Sequence, residues 1–155
     1  KMKKRKWSIL ILLIIIAIGF YLTQGPKPLT QDLNDSFLKL SDMTELVIMD
    51  YQQDNMYRTS DRGQLNEIFK QLAKINVTRG QDIEFNESVF RDDEILKVRF
   101  YNSETTFAVN FTFYEDRSLI VEEQAFVTKT TLGRQVSDNE FVQFYEFIHD
   151  GRTFE

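Results

Sequence analysis

Residues 94–122, EILKVRFYNSETTFAVNFTFYEDRSLIVE, decide the fold. Apolar and polar side chains alternate along them with the period of two that marks a β-strand. Leu96, Val98 and Phe100 share one side of Glu94–Tyr101. Phe107, Val109, Phe111 and Phe113 share one side of Thr105–Tyr114, and Ala108, Asn110 and Thr112 the other. Asn102-Ser103-Glu104 and Glu115-Asp116-Arg117 supply turn residues between the runs. The pattern predicts an antiparallel meander with one covered and one wetter face, and Ser118–Glu122 as its third strand.

Outward from this meander, helix and strand signals flank it on both sides. Ala125–Leu132 reads as a fourth strand, ended by Gly133. Ser137 and Glu140 form a capping box ahead of a stripe of Phe141, Phe144, Tyr145 and Ile148. That predicts a helix over 138–149 with Gly151 as its stop. On the other side, residues 76–93 are polar and irregular, with a short strand at Ile83–Phe85. Asp61 and Gln64 cap a helix over 62–75, whose apolar face is Leu65, Ile68, Phe69, Leu72 and Ile75. Met43–Tyr51 and Met56–Thr59 read as a strand pair around a polar turn at Gln52–Asn55. The order predicts an α+β domain: an antiparallel β-sheet with two helices packed on one face.

Ahead of the domain, Trp7–Leu22 carries no charge and follows Lys1, Lys3, Lys4, Arg5 and Lys6. A helix of this length spans about 24 Å, close to the hydrocarbon core of a bilayer. Ile11, Ile14 and Ile18 would face lipid, and Trp7, Phe20 and Tyr21 would sit at the two interfaces. The basic flank is expected to stay in the cytoplasm. This gives a basic cytoplasmic tail over 1–6, a transmembrane anchor over 7–22 and a spacer with a short helix over 23–42. An extracytoplasmic domain over 43–155 follows, in a single-pass protein of the cell membrane. A cleaved signal peptide is the alternative, with Ala17-Ile18-Gly19 as the approximation to a cleavage site. Both prolines fall in Thr23–Leu29, so the chain leaves the helix stiffly. Leu29, Leu33, Phe37 and Leu40 have helical spacing, in a stalk or in the first element of the domain.

The charge balance narrows the partners. The chain carries a net charge of −5, but five cations lie in its first six residues, so 14 basic face 24 acidic residues in the rest. So acidic a domain is a poor polyanion binder, and nucleic acid is not an expected partner. The chain has no cysteine, which removes disulfides, thiolate metal sites and a lipidated anchor.

The order of elements behind a Lys-rich anchor resembles the small exported domains of uncharacterised Gram-positive bacterial membrane proteins and lipoproteins. The likeness rests on a strand hairpin followed by a helix opened by Thr59-Ser60-Asp61, then on the meander at 94–132 and the helix at 138–149. It is one of architecture. It implies a cell-envelope setting and brings no catalytic residue with it.

No catalytic motif, metal-ligand spacing or nucleotide loop occurs, so no catalytic, cofactor or metal residue is expected. His149 is the single histidine, beside Asp150 at a helix C-terminus, where the dipole favours a protonated ring. Asp92-Asp93-Glu94 with Glu84 and Glu87, and Glu115-Asp116 with Glu122-Glu123, read as solvated acids before they read as cation sites. Tyr51, Tyr57, Tyr101 and Tyr114 would form a binding surface if they shared an open sheet face. Three functions compete on these grounds. The first is a tethered binding module for another envelope or secreted protein. The second is a structural subunit of a secretion or conjugation complex, and the third a small wall hydrolase using Asp92 or Glu94.

Overall fold

The computed structural model describes residues 2–33, 39–79, 91–125, 129–152 and 154. The strand expected at Ile83–Phe85, and Phe37, Glu84 and Glu87, lie outside the described residues. Helix α1, Met2–Gln24, contains an 18-residue stretch, Lys6–Thr23, long and apolar enough to cross a membrane, and none of it is buried. Trp7, Ile11, Ile14, Ile18, Phe20 and Tyr21 are all exposed on it. The helix is compatible with a single-pass anchor or a signal sequence. Its carbonyl at Tyr21 accepts from Gly25 N at 2.7 Å. A Cβ on Gly25 would meet that carbonyl oxygen at 2.6 Å, so a larger residue would force the chain apart here.

Only Gly25 and Pro26 separate α1 from strand β1, Lys27–Pro28, which runs into the four-residue helix α2, Leu29–Asp32. The elements that follow are β2 Glu45–Asp50, β3 Asn55–Thr59, α3 Arg62–Lys74, β4 Asn76–Arg79 and β5 Glu94–Asn102. Then come β6 Phe107–Tyr114, β7 Ser118–Gln124, β8 Lys129–Val136 and α4 Asp138–His149. The fold is α+β, and its eight strands form one antiparallel sheet in the order β1-β4-β8-β7-β6-β5-β2-β3.

The stretch 23–42, expected as a spacer with a short helix, supplies β1 and core residues. Leu29, Leu33 and Leu40 are buried in the same cluster as the sheet, and Leu29 N bonds Ile75 O at 2.9 Å. Residues 76–93, expected to be irregular, contain β4. Its register joins Val77 to Val136, a pair whose side chains are both buried. Gly133 does not end the fourth strand. It pairs with Ile120 inside β8, which continues to Val136. Neighbouring β7 offers partners as far as Ser118, so the ladder carries the glycine through.

The register puts Leu96, Val98 and Phe100 of β5 opposite Phe113, Phe111 and Val109 of β6. Leu46 and Ile48 of β2, and Leu119 and Val121 of β7, extend the same face. Phe113 on that face meets Phe141 and Phe144 of α4 with ring centres 5.5 and 5.6 Å apart. Leu65, Ile68 and Leu72 of α3 belong to the same core. The expected wetter face is not wet at the centre of the sheet. Ala108, Asn110, Thr112 and Tyr114 of β6 are buried too, and Asn110 Oδ1 has no hydrogen-bond partner among the described residues.

Both caps form at one end only. Asp61 Oδ1 accepts from Gln64 N at 2.8 Å, and Ser137 Oγ from Glu140 N at 3.3 Å. The return bonds of a capping box are replaced by tertiary ones. Gln64 Oε1 accepts from Tyr57 and Thr59, and the Glu140 carboxylate accepts from Asn76. Arg62, next to the first cap, donates to the carbonyls of Ser41 and Met43.

Candidate functional site

The hairpin β2–β3 turns through Tyr51–Asp54, with Asp54 in the left-handed region at φ 53°. The turn hangs on one buried carboxylate. Asp50 Oδ1 accepts from Gln52 N at 2.9 Å and Gln53 N at 3.1 Å. Its Oδ2 accepts from Tyr145 Oη at 2.6 Å and lies 2.8 Å from His149 Nε2. The Asp50 side chain has no exposed surface, and among the described residues these four groups meet its oxygens. Burial and the bond to Asp50 push the Tyr145 hydroxyl up to about 12, so it stays a donor.

His149 is engaged at both ring nitrogens. Nδ1 donates to the carbonyl of Tyr145, one helical turn back, at 2.8 Å. Nε2 faces Asp50. A carbonyl only accepts, so Nδ1 carries the hydrogen of that contact, and Nε2 lies against the carboxylate. The ring also stacks on Phe154 with centres 4.7 Å apart and lies 4.2 Å from the Tyr145 ring. A general base needs a free lone pair facing its substrate. Here neither nitrogen has one.

The rigid turn presents Tyr51, which is 46% exposed, beside Met56 at 43%. Met49 pairs with Met56 across the hairpin, and the Tyr51 hydroxyl lies 3.7 Å from Met49 Sδ. Outside α1, the large exposed apolar side chains among the described residues are Tyr51, Met56 and Val142. Two of the three therefore sit on one hairpin. Partial burial raises the Tyr51 hydroxyl above its ordinary range, with help from the Glu94 carboxylate. Arg58, the one charge on β3, is itself paired with Glu45 at 2.8 Å.

The four tyrosines expected to share an open face are spread over the domain. Tyr57 is buried on the face of Ile48, its hydroxyl bonded to Gln64 and its ring 5.8 Å from Phe154. Tyr114 is buried beneath the Arg91 guanidinium, 4.2 Å from its ring, and burial pushes its hydroxyl up to about 12. Tyr101 is half-buried on the face of Tyr114 but at the opposite end of the strands, across from Ala108. Tyr51 and Tyr114 do converge, since the Glu94 carboxylate acts on both.

Two acids of the expected runs, Asp93 and Asp116, are structural. Asp93 and Asp116 both clamp Arg91, at 2.5 and 3.0 Å, and Asp116 also holds Ser118. The bond to Arg91 holds Asp93 below the usual carboxylate range. Burial opposes that shift at Asp116, and its bonds to Ser118 and Arg91 outweigh it. Glu122 and Glu123 are successive strand residues and point to opposite faces. Among the described residues no group of three or more His, Asp or Glu is placed to hold a metal ion.

The pairing of Asp50 with His149 spans 99 positions, and no local motif signals it. The one clue in the sequence is an acid at the end of an apolar strand, where a solvated residue would cost nothing. Compared with protein-family models, curated proteins and solved structures, the chain finds no match.

Proposed function

We propose that this chain is a membrane-tethered, extracytoplasmic binding module without catalytic activity, which contacts another envelope or secreted protein. One observation carries the reading: exposed Tyr51 and Met56, with half-buried Met49 between them, on a turn fixed by the buried Asp50 carboxylate. Tyrosine gives a large contact area at low entropic cost, and methionine adapts to irregular partner surfaces. A turn ordered before contact loses little freedom on binding. On this reading both long helices of the domain cover one face of the sheet, and the hairpin projects past them. The saturated ring of His149 supports the non-catalytic part of the reading.

The test uses full-length protein purified from membranes in mild detergent. Wild type should recover a reproducible partner, and the double variant Tyr51→Ala, Met56→Ala should lose it while folding normally. Equal recovery by both proteins would overturn the assignment of the patch.

The two-residue junction favours a second reading, a structural subunit of a multi-protein membrane complex. With Gly25 and Pro26 alone between α1 and the sheet, a helix packed against neighbouring helices would also orient the domain. Exchanging residues 8–22 for a generic anchor would then abolish function. Retained function would remove this second reading.

A further inference from the structure

We propose that the proton shared by His149 and Asp50 is a gate on the Tyr51 turn, closing it when present and loosening it when lost. The proposal rests on the reading of that turn as the contact surface and adds its regulation.

The turn and the C-terminal end of α4 are joined through one carboxylate. Two of its four hydrogen bonds go to the turn, through Gln52 N and Gln53 N, and two go to α4, through Tyr145 and His149. The two halves therefore share a single charge. While the ring carries a proton on each nitrogen, both of its contacts are donor to acceptor. When one proton leaves, a lone pair on the ring must face either the Tyr145 carbonyl or the Asp50 carboxylate, both at 2.8 Å. That contact is repulsive, and the buried carboxylate loses its countercharge. The carboxylate then gains by moving toward water, and it takes the two turn amides with it.

The gate has a path to solvent. The His149 side chain is 21% exposed, and a surface depression lined by Gln143, Glu146, Phe147 and Asp150 opens at the ring. Other ionisable groups lie on the elements packed around it. They are Tyr145, Glu146 and Asp150 of α4 and its cap, Glu67 of α3, and Arg152 after the helix. Arg152 is occupied by the carbonyls of Phe147 and Asp150 and lies 3.8 Å from Glu67, so it does not replace the imidazolium at Asp50. Tyr145 keeps its proton, since burial and the bond to Asp50 push its hydroxyl up to about 12.

The chain's single histidine makes the test direct. Full-length protein in lipid nanodiscs is titrated by NMR with no partner present. The His149 ring signals are followed together with the amides of Gln52 and Gln53. The amides should move on the same curve as the ring, and their exchange protection should fall by about tenfold or more as one charge-assisted bond is lost. In His149→Gln, whose amide still donates to Asp50, the turn should lose this response while core amides of α4 keep their protection. The gate is overturned if the turn amides stay fixed while His149 titrates. It is equally overturned if they respond in His149→Gln as in wild type, or if the ring keeps its proton until the domain unfolds. Because no partner is present, each of these results leaves the contact surface itself standing. Loss of the patch with no effect on partner recovery would remove the surface and leave the gate.

Discussion

Asp50 concentrates more of the domain's polar energy than any surface ion pair, because its side chain is wholly buried and four donors converge on it. Removing it leaves an imidazole, a hydroxyl and two amides without their shared partner. Asp50→Ala should therefore cost about 3–5 kcal/mol in a urea unfolding experiment. Tyr145→Phe removes one of the four bonds and should cost about 1–3 kcal/mol by the same measurement. Tyr51→Ala and Met56→Ala touch only exposed surface and should stay within about 0.5 kcal/mol of wild type. This contrast separates residues that hold the turn from residues displayed by it. The sequence offers Tyr51 as a surface candidate but does not separate it from the residues that hold the turn. Tyr57 and Tyr51 look alike in a polar stretch, and only the register shows that Tyr57 pairs with Ile48 and turns inward. His149 was readable as structural, but its neighbour Asp150 was the visible acid and Asp50 the operative one.

At the scale of elements, the long alternating strands and the two capped helices were legible because their signals are local. Helix α4 spans Asp138–His149, the expected span, and the Asp61 and Ser137 caps both close. Strands β1 and β4 were missed because two and four residues are too few to show a period; pairing with β8 decides β4, and pairing with β4 decides β1. The burial of both faces of β6 was missed for a related reason: alternation reports side-chain chemistry, and small or polar residues such as Ala108 and Thr112 can be covered. The Arg91 clamp joins the entry to β5 with the β6–β7 turn through Asp93 and Asp116. Both carboxylates titrate below their ordinary range, so their contribution is present above the unfolded value near pH 4 and is lost as the pH falls through the folded values. Acid should thus loosen this junction, seen as faster amide exchange at Glu115 and Arg117. Arg91→Gln should weaken it already at neutral pH and remove most of the acid response.

Among the described residues, exposed large apolar side chains cluster in two places, with Val142 standing alone on α4. One is α1, exposed along its length, and the other is the small patch on the β2–β3 hairpin. The first is compatible with a bilayer, and the second is the surface proposed as a protein contact. Strand β1 enters the sheet two residues after α1 ends and forms the edge opposite β3, so the width of the sheet separates the hairpin from the junction. If α1 is retained as an anchor, alkaline carbonate should leave the full chain in the membrane pellet. The absence of cysteine allows the decisive measurement. Tyr51→Cys is expressed in full-length protein, and intact cells are treated with a membrane-impermeant maleimide, with Ile48→Cys as the buried control. Position 51 should be labelled without lysis and position 48 should not. Labelling of position 51 only after the cells are broken would contradict a tethered domain that displays this turn to the outside.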